Sequence, residues 1–147
     1  MNREIKFRGR RLDNGEWVYG YFFASQMSGA YILSSKIEAR KSKSGGMMMR
    51  DKIEQYEVDP ATVGQFIGLK DNHNQGNQIY KSDIVRITAA CGEEYIGEVV
   101  WDELRAGWSV DIGEELWDFA SIIHCEHLVE VIGNVWDNPE LLEHSNA

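Results

Sequence analysis

The sequence predicts a mainly β protein with α+β character at its margins: an N-terminal β-hairpin region, a barrel-type β region after it, and a short C-terminal helix. Three observations carry this reading. Apolar and polar residues alternate with a period of two in several short stretches, the spacing that sets one strand face on a core and the other in water. Turn-forming residues punctuate those stretches, as at Asp13-Asn14-Gly15 and Ala106-Gly107. The 147 residues, 43% of them hydrophobic, suffice for one ordinary core or two small ones, and nothing in the composition points to disorder, collagen or a disulfide framework.

Residues 4–8 place Ile5 and Phe7 on one side and Glu4, Lys6 and Arg8 on a wet side, which predicts the first strand. After the Asp13-Asn14-Gly15 turn, residues 16–24 carry Trp17, Tyr19, Tyr21 and Phe23 on a common face, completing an opening hairpin. Residues 31–33 supply a third strand after Ser28-Gly29. Residues 34–51 are rich in Lys, Arg and Ser and contain Gly45-Gly46 followed by Met47, Met48 and Met49. They predict a long mobile loop, and a connection of that length is usually functional or disordered.

Asp59-Pro60 predicts a cap and the first position of a single helical turn ending near Thr62, because proline lacks only an amide hydrogen that would be unpaired there. Phe66, Ile67 and Leu69 follow, then a polar tip over residues 71–77. Residues 84–87, 95–101 and 108–112 read as a three-stranded meander. Residues 114–124 suit a short helix through Leu116, Phe119 and Ile123, or a strand through Trp117, Phe119, Ser121 and Ile123, and both stay open. Residues 129–136 form the last strand, and Asn138-Pro139-Glu140 opens a terminal helical turn bearing Leu141 and Leu142. The expected organisation is an N-terminal β region over 1–56 and a barrel-like β region over 57–147, packed separately or as one unit.

Charge is distributed unevenly. Residues 1–56 hold 11 Lys+Arg against 6 Asp+Glu, and residues 57–147 hold 4 against 18, within a total of −9. Such polarity steers a nucleic acid to the basic half, drives head-to-tail contact between copies, or reflects solvated faces that merely differ. The apolar runs fall far short of the roughly 18 residues needed to span a bilayer, so no membrane partner is expected. The basic opening segment lacks the apolar stretch and cleavage site of a secretory signal, which predicts a cytoplasmic protein. In that reducing compartment Cys91 and Cys125 are expected as two buried thiols rather than a disulfide.

Four segments carry a family resemblance: REIKFRGR at residues 3–10, VGQFIGLKD at 63–71, IYKSDIV at 79–85 and VIGNVWDNPELL at 131–142. In this order and at these spacings they resemble the YopX family of phage and prophage proteins of bacteria. The resemblance implies a phage or prophage protein in a bacterial cell, of unassigned role, mostly β and prone to assemble into homo-oligomers, with no catalytic motif to carry over. The shared residues read as structural: Gly64, Gly68, Gly76, Gly97 and Gly133 fit turns, bulges or close backbone approaches. Lys81-Ser82-Asp83 ahead of Ile84-Val85 is similar to the polar corner feeding a strand in SH3-like barrels, an analogy of fold alone.

No chemistry stands out. His124-Cys125-Glu126-His127 is the sole local set of metal-capable residues, but its spacing gives no tetrahedral set without Cys91 or His73, so no metal or cofactor is expected. Glu93, Glu94, Glu98, Asp102, Glu103, Glu114, Glu115 and Asp118 are expected to face solvent, and no nucleophile elbow or phosphate loop is present, which predicts a noncatalytic protein. Trp17, Tyr19, Tyr21, Trp101, Trp108, Trp117 and Trp136 are expected mainly in the core, and the three consecutive methionines belong to the mobile loop or dock on a partner copy.

The leading expectation is therefore a self-associating accessory protein whose basic half meets the acidic half of a neighbour. A second is nucleic-acid binding through Arg3, Lys6, Arg8, Arg10 and Arg11 together with Lys36, Arg40, Lys41, Lys43 and Arg50. A third is binding of a host protein by the acidic face.

Overall fold

The computed structural model describes residues 3–72 and 76–143. The chain divides into two compact units, one of Ile5–Gln65 and one of Phe66–Ala147 with Met1–Glu4. In the first, β1 (Phe7–Arg10), β2 (Trp17–Ser25), β3 (Gly29–Lys41) and β4 (Met47–Val58) form an antiparallel meander of order β4-β3-β2-β1. The next strand, β5 (Gly64–Lys70), begins in this unit, where Gly64 and Gln65 pair with β1. Ala30, Ile32 and Val58 are its buried apolar core, with Phe7, Val18 and Val63 packed against them.

The opening hairpin forms as expected, with Gly15 at φ 73° and the Arg11 amide donating to Glu16 O at 2.8 Å. Its faces differ from the expected ones. Ile5 precedes the strand and is 48% exposed, whereas Arg8 is 6% exposed. The Arg8 guanidinium lies 4.8 Å from the Trp17 ring centroid, and stacking on an aromatic face lets a planar, weakly hydrated cation be covered where an ammonium would resist. The meander curls until the end of β1 meets the end of β4. Arg11 bridges Val58, the Leu12 amide donates to Glu57 O at 3.1 Å, and the Asp59 amide donates to Arg10 O at 2.9 Å. Asp59 then caps the 3-10 turn Pro60–Thr62 by accepting the Ala61 amide, as the Asp-Pro pair predicts.

Residues 34–51 are not a mobile loop. They are the outer parts of β3 and β4, paired without a register break from Ala30↔Val58 to Lys41↔Met47. The turn is closed by the Ser42 amide donating to Gly46 O at 2.6 Å and the Gly46 amide donating to Ser42 Oγ at 2.9 Å. β2 pairs with β3 only over Gly29–Leu33, so from Ser34 outward the hairpin continues as a two-stranded arm. The sequence signal is a mirrored alternation: Lys36, Glu38 and Arg40 against Ile37 and Ala39 on β3, and Arg50, Lys52 and Glu54 against Asp51 and Ile53 on β4.

In the second unit the remainder of β5 pairs with β6 (Gln78–Tyr80) through Phe66 and Lys70. A five-stranded antiparallel sheet of order β10-β9-β8-β7-β11 follows, from β7 (Asp83–Thr88), β8 (Glu94–Asp102), β9 (Gly107–Asp111), β10 (Leu116–Asp118) and β11 (Leu128–Asn134). The expected meander is β7, β8 and β9. The mainly β class holds, but the SH3-like barrel does not close, since β10 and β11 end on opposite edges of the sheet. Residues 114–124 are strand and then helix, α1 (Phe119–His124), because Asp118 ends β10 and caps the helix, accepting the Ser121 amide and hydroxyl at 2.8 Å each. The chain then runs to α2 (Glu140–Glu143), the expected C-terminal turn.

Ile67, Ile79, Val85, Val99, Val110 and Ile122 are among the buried residues of this unit. Two buried acids stitch it together. Asp71 accepts the Asn77 amide at 2.8 Å and the Val131 amide at 2.9 Å, and Asp83 accepts the Tyr80 amide at 2.8 Å. Among the described residues no helix is long and apolar enough to cross a membrane.

Candidate functional site

β1 and β2 bring the N-terminal cations onto aromatic rings. Lys6 sits 5.6 Å from the Tyr19 centroid, Arg8 and Arg10 sit 4.8 and 5.1 Å from that of Trp17, and Arg11 sits 4.5 Å from that of Tyr56. The antiparallel register explains this, because Arg8 faces Tyr19 and Arg10 faces Trp17 across the strands. Arg11 also pairs with Asp13, whose hydrogen bond raises the pKa of the guanidinium. Arg3 belongs to the other unit, beside Gly68. Tyr19, Tyr21 and Phe23 are exposed, so the expected core role of this aromatic face fails there, and Trp101 and Trp136 are exposed as well.

The arm holds the second group of cations. Its charged face is matched internally: Lys36–Glu54 at 3.2 Å, Lys52–Glu38 at 3.3 Å and Arg50–Glu38 at 3.8 Å. These pairs offset the like charges of Lys36 and Lys52, which the register sets opposite one another. A hydrogen bond from the Tyr56 hydroxyl, and then Lys36, hold the Glu54 carboxyl below its ordinary pKa, keeping it ionised. Arg40 lies on the same face, while Lys41 and Lys43 mark the exposed tip. Of the basic stretch expected from residues 36–50, Glu38 and Glu54 thus pair Arg50 and Lys36, two of its five cations. The opposite face of the arm carries apolar side chains open to water, with Ile37 68%, Met49 67% and Ile53 74% exposed, beside Asp51, which the register sets opposite Ile37.

In the second unit the acidic residues are mostly committed to structure. Asp102 is buried and accepts the Leu104 amide at 3.0 Å, Glu93 accepts the Tyr95 hydroxyl at 2.6 Å, and Glu115 accepts the Trp117 indole at 2.7 Å. One pair does converge. Glu98 lies directly opposite Asp111 between β8 and β9, and burial followed by the Asp111 charge pushes its carboxyl pKa up. Nothing in the spacing marks Asp111 as a partner of Glu98; the β8–β9 register after the turn at Ala106-Gly107 brings it there.

A cavity of about 280 Å³ is lined by Leu116, Trp117, Asp118, Ser121, Ile122, Cys125 and His127. Its carboxylate is the α1 cap, held below its ordinary pKa by the Ser121 amide and then the Ser121 hydroxyl, which makes it an ionised structural acceptor. Cys91 and Cys125 are free and exposed rather than buried, Cys91 following the Thr88–Ala90 stretch and Cys125 ending α1. Among the described residues no group of three or more His, Cys, Asp or Glu is placed to hold a metal ion, and His73 lies outside the described residues.

Three of the four segments that carry the resemblance form joints of the second unit. Asp71 of the second joins Val131 of the fourth, and Asp83 of the third turns the chain into β7. Gly133 of the fourth leaves room for Asn138, whose Oδ1 would lie 2.5 Å from a Cβ at that position. Comparison with curated proteins finds no match. A family model described as YopX protein matches residues 6–143, and the chain therefore belongs to the YopX family.

Proposed function

We propose that this YopX protein is a noncatalytic, self-associating accessory protein of a phage or prophage, acting in the cytoplasm of the bacterial host, and that the arm of β3 and β4 is its contact element. The observation that carries this is the arm's apolar face. A two-stranded ribbon exposed on both sides is marginal in water. Covering Ile37, Met47, Met49 and Ile53 gains on the order of 1.5–3 kcal/mol for each side chain fully buried. Light scattering across protein concentration tests the reading, and a monomer throughout overturns it. High salt separates two modes of association, because a contact between basic and acidic halves weakens as charges are screened while an apolar contact persists.

The exposed row Tyr19, Tyr21 and Phe23 beside Lys6 supports a second reading, a stacking surface for single-stranded nucleic acid. It ranks second because Arg8 is buried and both Arg8 and Arg10 lie on Trp17, which reduces the guanidinium surface left for phosphates. A gel-shift assay with single-stranded DNA and RNA at 50 mM salt checks it, and absence of a shift removes it. Capture of a host protein by the acidic unit is a third outcome, sought by pull-down.

A further inference from the structure

We infer that two copies of this chain pair antiparallel through the outer edge of β4 about a two-fold axis at Ile53. The inference rests on the self-association reading and names its interface.

β4 is the edge strand of the first unit's meander, and its backbone direction is fixed at one end. There Glu57 O and the Asp59 amide point outward to Leu12 and Arg10. Because the register with β3 is unbroken, the N–H and C=O of every second residue point the same way. Asp51, Ile53 and Gln55 therefore present donors and acceptors along the open edge, while Lys52 and Glu54 bond inward to β3. Such an edge templates another strand unless it is blocked, and the bridge at Val58 blocks only its last residues.

Charge selects both the occupant and the register. In a two-fold antiparallel pair, residue i faces a residue whose number is set by the centre of symmetry. A centre at Asp51 sets that carboxylate against itself and Arg50 against Lys52. A centre at Lys52 or Glu54 likewise opposes identical charges, and a centre at Met48 or Met49 brings no opposite charges together. A centre at Gln55 brings Glu57 against Ile53, although Glu57 O is already engaged with Leu12. A centre at Ile53 sets Lys52 against Glu54 of the second copy twice over, Asp51 against Gln55, and Ile53 against itself. Opposite charges facing across strands stabilise a pair and like charges oppose it. The resulting ribbon of two arms also joins their apolar faces side by side, bringing together the Ile53 side chains, each 74% exposed in the single chain.

The test uses the full chain carrying Cys91→Ser and Cys125→Ser, which removes its two exposed thiols. With Ile53→Cys added, mild oxidation is expected to give a disulfide-linked dimer, since directly opposed hydrogen-bonded residues lie about 5.5 Å apart, within disulfide reach. Asp51→Cys is expected to stay uncrosslinked, because its two copies would lie about 13 Å apart, four residues along the strand. Ile53→Pro provides an independent readout: it removes only an outward-facing amide and so should leave β4 folded by circular dichroism while shifting the dimer dissociation constant at least tenfold. A dimer by light scattering in which Ile53→Cys does not crosslink overturns this interface and leaves self-association standing. A monomer at all concentrations overturns both.

Discussion

The Asp71 carboxylate accepts the Val131 amide at 2.9 Å, joining the loop after β5 to β11 across sixty positions of sequence. Asp71 is buried and also receives the Asn77 amide and, at 3.2 Å, its side chain. Asp71→Ala leaves those buried donors without an acceptor and is expected to lower stability by about 3 kcal/mol, read as a lower urea midpoint. Asp71→Asn keeps one acceptor oxygen and should cost less.

Glu98 and Asp111 predict a pH dependence of definite sign. The Glu98 pKa is raised above its ordinary 4.5, so the folded state holds this proton more tightly than the unfolded chain does. The ionised carboxyl therefore opposes folding, with a cost that is absent below 4.5 and grows as pH rises through the folded value. Glu98→Gln is expected to raise the Tm at pH 7 and to change it little at pH 3.5. An equal gain at both values would show that the side chain acts by packing instead.

Gly97 allows β8 to approach β9. A Cβ there would lie 2.4 Å from Asp111 O and 2.7 Å from a Val110 methyl, and the backbone oxygen cannot swing aside. Gly97→Ala is expected to destabilise by about 1–3 kcal/mol, measured by thermal unfolding.

Amide exchange reports on the arm residue by residue. Amides of Asp51, Ile53 and Gln55 are expected to exchange quickly in dilute protein and slow as concentration rises, while those of Lys52 and Glu54 keep the protection β3 provides. Uniform fast exchange from residue 47 to residue 54 would instead mark the arm as unformed in solution.

Strands with a buried face were legible because burial writes alternation in hydrophobicity: Val85 and Ile87 in β7, Val99 in β8 and Val110 in β9 sit where the pattern places them. The arm is not legible in the sequence because neither face is buried, so its alternation sets charge against mixed residues around the Gly45-Gly46 turn. The burial of Arg8 is hidden for a different reason. Its burial depends on Trp17 across the hairpin, and a cation's partner cannot be counted along its own strand. The Glu98–Asp111 pair likewise needed the β8–β9 register, which periodicity does not supply.

The single bridge between Arg11 and Val58 bears on stoichiometry. An edge strand open along its whole length can recruit copy after copy and grow without limit, whereas here the end of β1 occupies one end of that edge. Pairing about Ile53 uses up the segment that remains, leaving no template for a third chain on that side. At this edge the clamp would thus end strand pairing at two chains rather than let it run on.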